Sequence, residues 1–556
     1  MGAGAAPPSG SWYTDLPEWW RQAGQPGTWP VSGPGDGYPL ALAGFAVGAW
    51  GAMEPVTGAG AFVDPGMAAA REPLAWFDSL DVTAGEGAAW SGFGAPLVVA
   101  STGPVPPRAQ RTRAVFHTHD GDFGLDENGL VVERGDSLRM LRAGTYAATR
   151  GPRGPLGVTG RHVWGVTGRG TFGTNTLEAG YAQRGAASNV QSGETQSLSG
   201  ESGSVTWRVR REGLRAALTA ARGRDGSESF LPDRDVDEFS RRDAEKNEVA
   251  LEAGSTRGAR DLAMRVAWSE SKVRRSFGPG FSRDAQALWA AVRLVQPASD
   301  GTLELALGGG HHEVFGGWDF APSAVYRFAN GPFRGRVAVE RLLAPVWTDL
   351  RPGVDPFLQR TWVAGWSIEA DTPSGAAGDL GVLLGSSRDR AIVERLPLQE
   401  WWLRDGVKRD PERYDFGLFS AGGIWRPGIF VVNARGYALA RQKSAIQPAV
   451  DPPFGGRGGA GFGFQMFQKE LGVVARAEVE GVGPRESEAA VPRHLDGYAT
   501  YGLAATFQLE DVELTFRALN LEDVRRPETW IDPTTGREAL GVGREFRIGL
   551  VWRLNN

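Results

Sequence analysis

The chain has no cysteine in 556 residues, which excludes disulfide frameworks, iron–sulfur clusters and thiolate zinc sites. It lacks a surplus of charge as well. Its 60 basic residues face 65 acidic ones, a formal charge of −5, and no basic stripe stands out to neutralise phosphates, so no nucleic-acid partner is expected. Long apolar runs are also missing. The longest uncharged stretch, residues 37–53 (GYPLALAGFAVGAWGAM), is broken by Pro39 and several glycines and falls short of a membrane-spanning helix. The opening MGAGAAPPSG shows neither a basic nor an apolar leader region, leaving two expectations, a cytosolic chain or one whose leader has been removed. What is plentiful is glycine: 79 residues, about twice the ordinary ~7%, without the three-residue period of collagen. Hydrophobic residues make up 41%, too many for a disordered chain. The length alone suggests about four domains, a rule that a single large barrel breaks.

From residue 111 onward apolar and polar side chains alternate. In EFRIGLVWR, Phe546, Ile548, Leu550 and Trp552 share one face, with Glu545, Arg547, Gly549 and Arg553 on the other, the pattern of a half-buried strand. The same division recurs at Val512, Leu514 and Phe516, at Val205, Trp207 and Val209, and at Leu303, Leu305 and Leu307. Ten tight turns are expected, at 135–136, 169–174, 211–213, 254–258, 296–300, 329–333, 371–379, 426–428, 468–470 and 509–511. They alternate with longer connections, among them 185–203, 222–246, 308–322, 343–357, 387–413 and 520–544. The count comes to about 22 strands. An even number of antiparallel strands, with short turns at one rim and long loops at the other, is what a closed transmembrane β-barrel requires, because lipid cannot satisfy a free sheet edge. A sandwich would not show this asymmetry, and the repeat of a propeller is absent. The apolar face then meets lipid and the Arg/Glu face the lumen. Trp207, Trp268, Trp289, Trp362, Trp366, Trp425 and Trp552 are expected in interfacial girdles.

A barrel this wide needs something in its lumen, and the residues before it are the candidate. There, Val63-Asp64 is followed by Leu80-Asp81-Val82, Gly85, Trp90 and Gly92. This resembles the second half of the plug of TonB-dependent outer-membrane receptors, a V-D-G turn followed by (I/V)-E-V-x-x-G-P-x-x-x-x-Y-G. The C-terminal LTFRALNLED and GREFRIGLVW are similar to that family's last two strands. The resemblance implies an all-β fold: a transmembrane antiparallel barrel of about 22 strands over 108–556 with a small plug domain in 1–107. It further implies a bacterial outer-membrane location with the leader removed, and a transporter that captures a scarce solute at its outer loops. Siderophore, cobalamin, metal complex and oligosaccharide all fit. The implied partners are outer-membrane lipid, the solute, and a TonB-type energy-coupling protein. No coupling box is recognisable in the first 36 residues, Glu86 stands where the family has Pro, and the chain ends Arg553-Leu554-Asn555-Asn556. An uncoupled plugged barrel, serving as a surface-binding protein or passive porin, is the alternative.

Other motifs carry less. Gly456, Gly458 and Gly461 fit G-x-G-x-x-G without the strand–helix setting that a dinucleotide needs, and read as a loop leading into a strand. Asp233, Asp235, Asp237 and Glu238 begin like a calcium loop, but Glu238 stands where Gly is needed and Ala244 where the bidentate Glu belongs. His117 and His119 share a strand face and read as lumenal polar residues. His311 and His312, in a long loop with Trp318, are candidate ligand contacts, as are Trp347, Trp401 and Trp402. No catalytic set can be assembled, no cofactor or metal is expected, and the chain does not read as an enzyme.

Overall fold

In a computed structural model, the described residues are most of 111–555. Excepted are 137, 151–155, 191–194, 232–237, 277–280, 347–356, 374, 389, 394–406, 411–412, 443–451, 468–469, 488–492, 533–536 and 541–542. Of the first 110 residues, the description covers 88–93 and the backbone of five short strands, among them Trp50–Met53, Ser79–Ala84 and Val98–Gly103. These last three form one small sheet.

The alternation has a physical signature in the strand Leu125–Gly135. Its buried positions include Glu127 and Glu133, while Leu130 and Val132 are exposed. A water-soluble sheet would reverse this assignment; a wall with hydrocarbon outside and a polar lumen requires it. Twenty-two such strands pair antiparallel in one closed barrel. The first, Arg111–Gly121, joins the last, Glu545–Asn555, in register from Arg547↔Gly121 to Asn555↔Arg113. The circuit of strands closes on itself, so the barrel has no terminal edge strand, as lipid demands.

All ten expected short turns are present, each two to four residues long. Arg211 and Leu214 are joined by Glu212 (φ 44°) and Gly213 (φ 81°), the two positive φ values of a type I′ hairpin turn. A side chain at Gly213 would place its Cβ 2.7 Å from the Thr256 carbonyl oxygen. At the first of these ten turns, Asp136 accepts hydrogen bonds from the amides of Leu138 and Arg139, both at 2.8 Å. The Arg139 and Leu138 amides hold its carboxyl below the usual carboxylate range. Short turns mark the inner rim of such barrels and long connections the outer one.

The outer connections depart from expectation. Where long loops were expected at 185–203, 222–246 and 308–322, the connecting residues are only 191–194, 232–237 and 313–317. The strands run on instead, to 20 residues in Glu238–Arg257. At ~3.4 Å per residue such a strand spans about 65 Å, against an apolar band of ~25 Å. Above the band both faces are polar, so the hydrophobic period disappears while the backbone ladder continues. Cross-strand ion pairs take over there: Arg222 to Glu245 at 3.0 Å and Arg241 to Glu228 at 3.3 Å. Gly456, Gly458 and Gly461 likewise lie within a strand, Phe454–Met466, rather than in a loop before it. Asp233, Asp235 and Asp237 lie outside the described residues, while Glu238 opens a strand.

Leu251, 55% exposed, belongs to the lipid-facing band with Val249, Leu218 and Val266. Replacing it with Arg should destabilise the barrel by about 2–4 kcal/mol, read by urea titration of protein refolded into vesicles. Six of the seven expected girdle tryptophans point outward: Trp207, Trp268, Trp362, Trp366, Trp425 and Trp552. Trp289 does not. On its strand, Leu288 and Val292 are exposed and Ala285, Trp289 and Ala291 are buried, so strand parity turns its ring into the lumen.

Candidate functional site: the lumenal wall and its contact with helix 88–91

Trp289, 3% exposed, anchors the contact between the wall and the N-terminal segment. The helix Ala88–Ser91 is one turn long, and the last carbonyls of any helix lack intrahelical partners. Two wall residues supply them. Trp289 Nε1 donates to the Ala89 carbonyl at 3.0 Å, and Arg265 Nη1 donates to that of Trp90 at 2.9 Å. The Arg293 guanidinium lies over the Trp90 ring, 4.9 Å from its centroid, a cation–π contact. Phe93 meets Trp289 edge-on at 5.1 Å and His312 at 5.4 Å. Trp289, Ala291, Ala321, Leu343 and Leu358 form one apolar cluster against Trp90, Phe93 and Phe315.

The Gly308-Gly309-Gly310 run explains how a tryptophan fits there. A Cβ at Gly310 would lie 2.6 Å from Trp289 Cε3, and one at Gly308 would collide with the Ala89 carbonyl and the indole. Missing side chains at the two inward positions make a trough across the strand Gly301–His312, into which ring and helix settle. Gly92 holds φ +92°, and its added Cβ would stand 2.9 Å from Trp289 Cγ.

Arg265 and Arg293 tie the contact to an ionic chain in the wall. Arg265 bonds Glu248 at 2.8 Å, Arg293 lies 3.9 Å from Asp261, and Asp261 receives both Nη atoms of Arg215 at 2.6 and 2.5 Å. Elsewhere the inner wall is a lattice of paired charges. Glu478 accepts from Arg457 at 2.5 Å, from Arg476 Nε at 2.6 Å and from Arg517 at 3.2 Å. Asp379 pairs with Arg435 at 2.8 Å, and Glu133 with Arg142 at 3.0 Å. His117 stacks on Tyr146 at 5.6 Å and lies 5.9 Å from His119, whose Nδ1 is 3.6 Å from Glu127. Both histidines face inward and are buried. Among the described residues no group of three or more His, Cys, Asp or Glu could hold a metal ion.

The structure separates His311 from His312. Both end the strand Gly301–His312, so their rings leave by opposite faces. His312 turns inward to Phe93 and Phe315, and His311 turns outward beside Trp318, 6.1 Å between centroids. The pair cannot grip one ion. Trp318, 62% exposed, stands with Phe320 on the outward face and opens the strand Trp318–Asn330 rather than lying in a long loop. Trp347, Trp401 and Trp402 lie outside the described residues. So do Val63, Asp64 and Gly85, and Leu80, Asp81 and Val82 lie on a strand described by its backbone alone. Among the described residues of the plug motif, Trp90 and Gly92 are brought to the wall. Trp289 is a wall residue of this site rather than the girdle residue its type suggests, and Arg265, Arg293, Gly308 and Gly310 join it without any motif to mark them; the inward parity of Trp289 and the triple glycine are the signals the sequence carries.

No protein-family model matches the chain, and neither does any curated protein. Solved structures do. The siderophore receptor PirA from Acinetobacter baumannii matches with a TM-score of 0.73 at 11% identity, covering 97% of this chain and 96% of that one. The copper transporter OprC matches at 0.77 and 14%, covering 97% and 95%. A mutant of the ferric enterobactin receptor PfeA from Pseudomonas aeruginosa matches at 0.77 and 12%, covering 99% and 97%. At such identities the likeness is one of fold.

Proposed function

From a chain with the fold of the TonB-dependent outer-membrane receptors, we propose a bacterial outer-membrane transporter that binds a scarce solute at its outer rim. The solute then crosses a lumen blocked by residues 1–107, the plug, inside the 108–556 barrel. The observation that supports this most is the helix Ala88–Ser91 docked inside the cylinder against Trp289 and Arg265. A segment held by a few hydrogen bonds and one apolar cluster can be displaced without breaking the wall. The outer connections 347–356 and 394–406 carry Trp347, Trp401 and Trp402, which would capture the solute by stacking. Among siderophores, cobalamin, other metal complexes and oligosaccharides, the names of the similar structures favour a metal chelate. The partner that moves the plug is a TonB-type energy-coupling protein, and the work is transport, not catalysis.

Metal-starved cells carrying the gene should accumulate a radiolabelled chelate, and a protonophore should return uptake to the level of cells without it. Binding that persists while uptake ignores the protonophore would instead identify an uncoupled barrel, a surface-binding protein or passive porin. A protein recovered without detergent would overturn both.

A further inference from the structure

The wall is not evenly laddered. The strands Trp318–Asn330 and Phe333–Val346 pair from Asn330↔Phe333 up to Ser323↔Glu340, and the register stops there. Residues 318–322 and 341–346 continue outward, each paired only to its other neighbour, as in His311↔Trp318 and Val346↔Phe357. Both strands carry a proline in this open stretch, Pro322 and Pro345. Proline donates nothing to a ladder and belongs at an edge.

Side chains close the seam instead. The Phe320 carbonyl accepts from Arg341 Nη1 at 2.7 Å. Asp319 accepts from Arg341 Nη2 at 3.3 Å and from Arg360 Nε and Nη2 at 3.1 and 2.9 Å. Below the seam Val339 and Trp362 point outward, and alternation gives Leu343 and Leu358 that same face. Yet Leu343 and Leu358 are 1% and 3% exposed, packed with Ala321, Trp289 and Ala291, which belong to the lumenal face of their strands. The outer end of hairpin 333–371 therefore tucks inside its neighbours, and the cluster it completes also touches Trp90 and Phe93.

We infer that this outer end, residues 341–346 and 357–359, is a flap that holds the helix Ala88–Ser91 docked against the wall. With Asp319 clamped to Arg341 and Arg360, Leu343 and Leu358 press on the Trp289 cluster and the helix stays docked. When the clamp yields, the flap lifts without breaking any ladder to the strand Trp318–Asn330, bending at Arg360 where the pairing to the strand Ala376–Arg388 ends, and the cluster loses one wall. The inference rests on the reading that the N-terminal segment moves.

Hydrogen exchange of the full chain in nanodiscs tests it, with no ligand, gradient or coupling protein. In Asp319→Ala, peptides over 341–346 and 357–361 should exchange about tenfold faster, and the peptide over 88–93 about fivefold or more. Reciprocity requires Trp289→Ala to accelerate 357–361, while 204–220 stays unchanged in both. The chain has no cysteine, so Asp319→Cys with Arg360→Cys, joined by a short bifunctional thiol reagent, should restore parental exchange at 88–93. A faster hairpin with 88–93 unmoved, or a tether without effect, would overturn the flap. Uptake that ignores a protonophore would not touch it.

Discussion

Replacing Trp289 with alanine is expected to free the helix Ala88–Ser91 from the wall and raise ion conductance across a planar bilayer. The ring is buried, fills the trough over Gly308 and Gly310, and donates to the Ala89 carbonyl. Truncating a buried tryptophan costs about 3–5 kcal/mol, and the orphaned carbonyl adds about 1 kcal/mol or more. None of this falls on the barrel ladder, since Trp289 keeps its backbone pairing to Ala267 and Gly310. Heat-modifiable gel migration should therefore be unchanged while conductance rises. Gly92→Ala sharpens the test. Its Cβ would lie 2.9 Å from Trp289 Cγ at φ +92°, a steric and a backbone penalty together. In a Trp289→Ala background the steric part disappears and the backbone part, about 1–3 kcal/mol, persists. A double-mutant cycle should show strong coupling. Additive effects would mean that Gly92 does not rest on the indole.

The membrane-facing half of this architecture was legible because it depends on one face of each strand. In residues 545–553 the exposed side chains are Phe546, Ile548 and Trp552, the face that alternation assigns to lipid. Six of the ten inner turns are two-residue hairpins, legible for a related reason: such a turn needs residues that tolerate positive φ, and Gly173, Gly213, Gly258 and Gly331 supply it in four of them. The outer half was not. Between 222 and 246 both faces are charged, so the strands lose the contrast that reveals them although Arg222↔Asn247 and its neighbours remain paired. The docking contact was hidden differently. Residue type alone puts Trp289 in the girdle, whereas Ala285 and Ala291, buried at its own parity, place it inside. Adjacency suggests His311 and His312 as a pair, yet it is a spacing at which a strand sends two side chains to opposite faces.

Two lumenal ion pairs of similar length should respond very differently to loss of their carboxylates. Glu478 and Arg457 meet at 2.5 Å with side chains 5% and 4% exposed, and Glu478 also receives Arg476 and Arg517. Glu178 and Arg208 meet at 2.6 Å but are 38% and 50% exposed. Water screens the second pair and relieves whichever partner is left, so Glu178→Gln should cost less than about 1 kcal/mol. Glu478→Gln leaves three guanidinium groups around a neutral amide where solvent cannot reach, an expected loss of about 3–5 kcal/mol. Glu478→Leu should be at least as costly, since it also removes their acceptor. Removing Arg457 in the Glu478→Gln background should recover part of the loss, because it lowers the repulsion among the remaining arginines. Urea-induced unfolding of vesicle-inserted protein measures all four. Equal costs for the two glutamates would show that the wall near Glu478 is as wet as that near Glu178, and that its arginines are held by solvent rather than by one carboxylate.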